Sequence, residues 1–127
     1  MIDRLDHLVI TVEDLNKTKN FYCDLLGMDF NEFGAGRQAF HFGKTKINIH
    51  IKGRELEPKA HVALPGTADL CFIMSCSIEK MQARLADFGY PLLEGPVQRT
   101  GATGSITSLY VRDPDQNLIE LSVYDRT

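Results

Sequence analysis

The sequence predicts an α+β fold: two βαβββ modules forming an open barrel-like sheet, with the helices outside. Three observations carry that expectation. The spacing from His7 to Gly27 recurs from Asp69 to Gly89, and each interval reads as a β-branched run, then a helical stretch ended by glycine. Three further strand-like segments follow each helix, so the period is about 60 residues, too long for a typical solenoid and fitting for a duplicated module. Between the repeats lies a stretch with Gly53, Pro58, Pro65 and Gly66, several charges and little periodicity. The organisation is one domain over 1–127, with module one at 1–52, a linker at 53–66 and module two at 67–127. A single such module cannot bury both faces of its sheet, so two are expected to pack together around a cavity.

Residues 6–12 read as a strand with His7, Val9 and Thr11 on one face and Leu8, Ile10 and Val12 on the other, both faces largely covered. Asp14 can cap a helix of about a dozen residues whose buried stripe is Leu15, Phe21, Tyr22, Leu25 and Leu26, with Gly27 just past its end. Strands are expected at 28–33, 37–42 and 46–51, separated by glycine turns, with Asn48 and His50 on one face of the last. In the second module 69–74 is a strand, and Ser77 caps a helix with Ile78, Met81, Leu85 and Phe88 on its stripe. Residues 90–96 are extended, and 101–104 make a small-residue turn. The last two strands, 105–112 and 118–124, are joined by Asp113-Pro114-Asp115, where Asp bonds the backbone ahead and Pro presets φ. Asn117 tolerates a left-handed conformation where the turn needs one.

Composition narrows the function. The chain has 127 residues, 43% hydrophobic and 24% charged, with a formal net charge of −3. That suits a soluble domain with a real core and leaves no basic footprint for nucleic acid. No apolar run approaches the roughly 20 residues of a membrane helix, and the start shows no signal-peptide pattern. Cys23, Cys71 and Cys76 form no CxxC pair and read as reduced thiols, so a cytoplasmic location is expected.

On the last strand Glu120 sits between apolar neighbours, on the face of Leu118 and Ser122. A buried carboxylate is costly unless it is paired, here with Arg112 across the hairpin, or bound to a cation. His50 closes the first half as Glu120 closes the second, and each half opens on a polar residue, His7 or Asp69.

The segments HLVITV, NFYCDLLGM, KINIHIKG and YVRDPDQNLIELS resemble the vicinal oxygen chelate superfamily (glyoxalase, bleomycin resistance and extradiol dioxygenase) over essentially the whole chain. The stretch KINIHIKGRELEPKAHVALPGTADLCF also resembles a small glyoxalase-domain subgroup and bacterial lactoylglutathione lyase-like proteins. The resemblance implies metal ligands at His7, His50, Asp69 and Glu120, a donor set suited to Zn, Ni, Mn, Fe or Co. It implies a lyase or isomerase like glyoxalase I, acting through an enediolate on a small α-oxygenated substrate such as a glutathione or other thiol adduct. Glu120 is then the first candidate for the proton shuttle and Asp69 the second. It also implies a homodimer. Two alternatives stay open: an iron(II) extradiol dioxygenase, and a metal-free binding or resistance protein. The chain departs from the family at Asp69, where His is usual, and at Gln116, where Gly is common. Phe40, Phe42 and Tyr110 are candidates for shaping a pocket. Arg37, Arg99 and Thr103 are candidates for holding a carboxylate or thiol conjugate.

Overall fold

The structure, a computed structural model, describes residues 1–126; Thr127, the last residue of the second expected module, lies outside them. Two compact units are present, Met1–Ala68 and a second from Asp69 onward. The first contains β1 (His7–Val12), α1 (Leu15–Lys19) running on as a π-helical segment (Asn20–Leu25), β2 (Asp29–Phe33), β3 (Arg37–Phe42) and β4 (Thr45–Ile51). The second contains β5 (Asp69–Ile73), α2 (Ile78–Asp87), β6 (Glu94–Thr100), β7 (Ser105–Arg112) and β8 (Leu118–Tyr124). The sheets have orders β1-β4-β3-β2 and β5-β8-β7-β6, with β1 parallel to β4, β5 parallel to β8, and the other pairs antiparallel. The βαβββ pattern therefore occurs twice.

In the first unit the Asp14 carboxylate accepts from the Lys17 N–H at 3.0 Å and starts the helix. Past Lys19 the hydrogen bonding widens to five residues, as in Leu26 N–H to Phe21 O at 3.0 Å, and Gly27 at φ +80° ends it. Phe21, Tyr22 and Leu25 are all buried. Tyr22 stacks on Phe40 of β3 with ring centroids 5.5 Å apart. The core on this side of the sheet is Ile10, Val12, Phe40, Ile47 and Ile49. Phe40 is 0% exposed, and Phe42 lies on the same side of β3. Phe40 thus packs against the helix rather than opening to solvent. The expectation that both faces of β1 are covered is also corrected: His7 and Val9 are exposed.

In the second unit Ser77 accepts from the Lys80 N–H at 3.1 Å, and α2 buries Ile78, Met81 and Leu85. Phe88, expected on that stripe, is the C-cap and is exposed, its ring covered by the Arg84 guanidinium at 5.0 Å. The helix has already ended there, so its stripe stops one turn early. Leu109, Val111, Ile119 and Leu121 form the apolar face. A bulge between Glu94 and Val97 depends on Gly95 at φ +114°, where a Cβ would come 2.5 Å from Ser108 O.

The β7–β8 turn places Gln116, not Asn117, in the left-handed region at φ 70°. A side chain there is strained, and glycine removes the strain at some cost in unfolded-state freedom. Gln116→Gly is expected to raise stability by about 0.5–1 kcal/mol net; a lowered urea midpoint would contradict this.

Tyr90 donates its hydroxyl proton to Arg112 O, linking the segment after α2 to β7. Burial, reinforced by the charge of Asp113, pushes this phenol up to about 12 from an ordinary 10.0. The folded state thus keeps a proton that the unfolded chain releases first. Stability is level below about pH 10 and falls as pH rises toward about 12. Tyr90→Phe is expected to flatten that fall while costing about 1 kcal/mol at neutral pH through the lost hydrogen bond. Urea midpoints at neutral and alkaline pH in both proteins check the two effects together.

Candidate functional site

Strand register defines a second, polar face in each unit, opposite the apolar one. In the first unit the pairs Phe33–Arg37, Ala39–Asn48, Val9–Asn48 and Thr11–His50 put these residues on one face, with His7 beside Lys46. His7 is exposed, and its Nδ1 lies 2.8 Å from Asp6 Oδ2. That hydrogen bond holds the Asp6 carboxyl below its ordinary value. A carboxylate on one ring nitrogen fixes the imidazole and leaves Nε2 to bind a ligand. His50 is buried. Asn48 is 4% exposed, and its Oδ1 has no hydrogen-bond partner among the described residues.

In the second unit Asp69, Cys71, Ser108, Tyr110, Glu120 and Ser122 share the polar face. Ser108 Oγ donates to Glu120 Oε2 at 2.6 Å, and Ser122 Oγ lies 3.5 Å from the same oxygen. Ser108 and Ser122 are 2.6 Å apart, and Cys71 Sγ is 3.4 Å from Ser122 Oγ. Each hydroxyl has one proton to give. With Ser108 donating to Glu120, the order that satisfies the row is thiol to Ser122, Ser122 to Ser108, Ser108 to carboxylate. Burial pushes the Cys71 thiol up; the Ser122 hydrogen bond opposes this, and the charges of Glu120 and Asp69 add to it, so the proton stays on sulfur. Arg99 Nε donates to the Tyr110 hydroxyl at 3.0 Å. Burial raises Tyr110, while the Arg99 bond opposes and the Glu120 charge adds.

The Glu120–Arg112 pairing does not form: Arg112 Nη1 donates to Gln116 O at 3.3 Å, and the Ser108 hydroxyl donates to Glu120. Thr103 is exposed at the 101–104 turn, its backbone N–H on the Tyr124 hydroxyl at 3.2 Å. A cavity of ≈380 Å³ lined by Cys71, Arg99, Glu120 and Tyr124 includes Gly101 and Ala102 but not Thr103.

The four candidate ligands fall into two pairs, one on each unit's polar face. Among the described residues no three His, Cys, Asp or Glu side chains gather closely enough to hold an ion. The parallel registers also revise the equivalence between halves. His7 lies opposite Lys46 and Asp69 opposite Leu118, so Glu120 is matched in the first unit by Asn48, and His50 by Ser122. Glu120 is two register steps beyond Asp69, about 7 Å along the strands; His50 is four beyond His7, about 13 Å, with Asn48 midway. Ser108, Ser122 and Asp6 contact candidate residues without having a role in the sequence reading, and Asn48 enters that reading only as a residue on the face of His50. The alternation of Asn48 with isoleucines and of Ser108 with Leu109 was the available signal.

This double βαβββ frame with polar faces defines a class, and the sequence profile of the Glyoxalase/Bleomycin resistance protein/Dioxygenase superfamily matches residues 4–121. The chain belongs to that superfamily. It is 58% identical over 120 residues to the glyoxalase domain-containing protein RDO1 of Mycosarcoma maydis, covering 94% of this chain and 68% of that one. It is 51% identical over 124 residues to virulence protein STM3117 of Salmonella typhimurium, covering 98% and 86%. The crystal structure of that virulence protein superposes with a TM-score of 0.96 at 50% identity, covering 98% of this chain and 99% of that one. At fold level alone the chain is similar to an antibiotic-binding protein, TnmS3 of Streptomyces sp. CB03234, with a TM-score of 0.76, 21% identity and 98% of each chain covered. Among the described residues no helix is long and apolar enough to cross a membrane.

Proposed function

We propose that this protein is a divalent-metal-dependent lyase or isomerase of the glyoxalase I type, acting on a small α-oxygenated substrate such as a thiol hemithioacetal. The observation that carries this reading is the carboxylate of Glu120, gripped at Oε2 by Ser108 on a face it shares with Asp69. Ser108 donates to Oε2, and this bond holds the carboxylate on the polar face. Imidazole at His7 and His50 and carboxylate at Asp69 and Glu120 are donor types that a divalent ion takes. A bound ion would supply Lewis-acid stabilisation of negative charge developing on the substrate's adjacent oxygens. Glu120 takes the proton from the hydroxyl-bearing carbon and returns it to the adjacent carbonyl carbon, while the hydroxyl proton passes to the former carbonyl oxygen. Asp69 is the second candidate for that role. The neutral thiol of Cys71 stands opposite Glu120 without adding charge. Asp6 holds His7 by its Nδ1.

Loading purified, chelator-stripped protein with Zn, Ni, Mn, Fe or Co separately tests the proposal by metal content and by turnover of methylglyoxal–glutathione adducts. Stoichiometric uptake with turnover is expected. A homodimer belongs to the same proposal and is read by light scattering. A second reading, a metal-free small-molecule binder, is favoured by one observation: an amide, Asn48, stands where the second unit has Glu120. Protein that takes up no ion supports it. An iron(II) extradiol dioxygenase is the other alternative, and oxygen uptake with a catechol after anaerobic iron loading tests it.

A further inference from the structure

We infer that the part of the substrate that does not react is uncharged and apolar, an aryl or branched alkyl body, and that Tyr124 sets this specificity by offering its ring to that body and by holding the 101–104 turn in place as a wall. The seat is the cavity of ≈380 Å³ within the second unit, which has the size of a small-molecule site. Glu120 lines it at one end. Two register steps along β8, Ile73 stands opposite Ser122, and two steps further Ile106 stands opposite Tyr124. The Tyr124 backbone is therefore about 13 Å along the strand from that of Glu120.

Three features of the lining select the body. The first is charge. Arg99 is the one cation that lines the cavity, and its three nitrogens are engaged. Nε donates to the Tyr110 hydroxyl at 3.0 Å, Nη1 donates to Gln98 O at 2.9 Å, and Nη2 lies 3.5 Å from a Glu94 oxygen. Glu120 supplies the other charge, and it is negative. A carboxylate on the substrate's body would lose water there and meet no unengaged cation. The second is open apolar surface. Ile73 is 53% exposed and Tyr124 37%, and both line the cavity. An apolar body that covers them removes this surface from water. The third is the way the wall is built. Gly101 N–H donates to Gly104 O at 2.7 Å and closes the turn, and Thr103 N–H donates to the Tyr124 hydroxyl at 3.2 Å. Gly101 makes room for the phenol: a Cβ there would come 3.0 Å from Tyr124 Cε1 and from its hydroxyl oxygen, and 2.9 Å from Ile106 Cγ2. The turn thus presents Gly101 and Ala102 to the cavity, and neither has a polar side chain.

This inference deepens the proposed function by naming the class of body the substrate carries, and it rests on that reading only for the reaction; binding of the body needs no ion. The test is calorimetric titration of chelator-stripped protein with two 2-hydroxy thioesters of similar size, S-(4-methylbenzyl) thiolactate and S-(4-carboxybenzyl) thiolactate. The neutral thioester is expected to bind at least roughly tenfold more tightly than the anionic one. Tyr124→Ala should weaken the neutral thioester roughly tenfold and the anionic one less, so the preference narrows. Tyr124→Phe keeps the ring but frees the turn, and should fall between wild type and the alanine variant. A merely structural role would weaken both thioesters alike, and that result overturns the assignment to Tyr124. Equal binding of the two, tighter binding of the anionic one, or binding of neither to the wild-type protein overturns the inference. The wild-type pair and Tyr124→Phe decide if the alanine variant does not fold. Protein that prefers the neutral thioester but takes up no metal keeps the inference and loses the lyase. Metal-loaded protein that turns over the glutathione adduct of methylglyoxal faster than the adduct of 4-methylbenzyl thiol keeps the lyase and overturns the inference.

Discussion

Glu120→Gln is expected to lower turnover of the thiol adduct by about 10²–10⁴-fold, the usual worth of a positioned general base, with the fold intact. The amide keeps the size of the carboxylate and keeps an oxygen that can accept from Ser108, so β7 and β8 have no reason to part. What it loses is basicity. Glutamine cannot take a proton from carbon, and it gives a divalent ion a neutral oxygen in place of an anionic one. Metal content is therefore expected to drop less than turnover does, and the two are measured on the same sample. Ser108→Ala offers a graded companion. It removes the shorter of the two hydroxyl contacts on Oε2. A loss of about 3–12-fold corresponds to one ordinary hydrogen bond, and it should appear in kcat without a matching change in metal content. Glu120→Gln protein that turns over at the wild-type rate after metal loading removes Glu120 from the base role and leaves Asp69 to be examined in the same way.

The elements most easily read from the sequence are those whose local chemistry agrees with their long-range role. β3, β7 and β8 lie where alternation and turn residues put them, and Asp14 and Ser77 cap the helices as expected. The equivalence of Asn48 with Glu120 was not legible, for a physical reason. A strand has a side-chain period of two, so shifting one half against the other by two residues leaves every residue on its face. Alternation therefore says which side His50 and Asn48 face, but not how far along the sheet each lies. Only the parallel ladder between β1 and β4 fixes that, and it is set by tertiary packing rather than by a tight turn. Phe40 and Phe42 illustrate the converse limit. The alternation in RQAFHF groups them correctly with Gln38, but a lone strand does not tell which face meets the helix. Tyr22, several turns of chain away, decides it by stacking on Phe40. The π-helical segment had no signature in the sequence, because the adjacent pair Phe21 and Tyr22 fits the apolar stripe of an ordinary helix equally well.

Asp113→Ala is expected to cost about 3–5 kcal/mol of stability, the range for stripping a buried charged group from its partners. Asp113 is 1% exposed at the β7–β8 turn. Its Oδ1 accepts the N–H groups of Asp115 and Asn117, both at 2.9 Å, and its Oδ2 accepts the Asn117 side-chain amide at 2.7 Å. Its backbone carbonyl closes the turn onto Gln116 N–H at 3.0 Å. Truncation leaves two backbone donors and an amide facing a hole in a part of the protein where Asn117 is itself 1% exposed. Each unmet buried donor carries a penalty of about 1–3 kcal/mol. The effect should reach the site as well, because the turn sets where β8 begins and hence which residue of β7 stands opposite Glu120. Asp113→Asn retains one acceptor and turns a second into a donor facing Asn117, so it should be intermediate, at about 1–3 kcal/mol. Urea unfolding of the three proteins ranks them. An alanine variant within about 0.5 kcal/mol of wild type, the ordinary range for a surface change, would mean that the turn does not depend on this carboxylate.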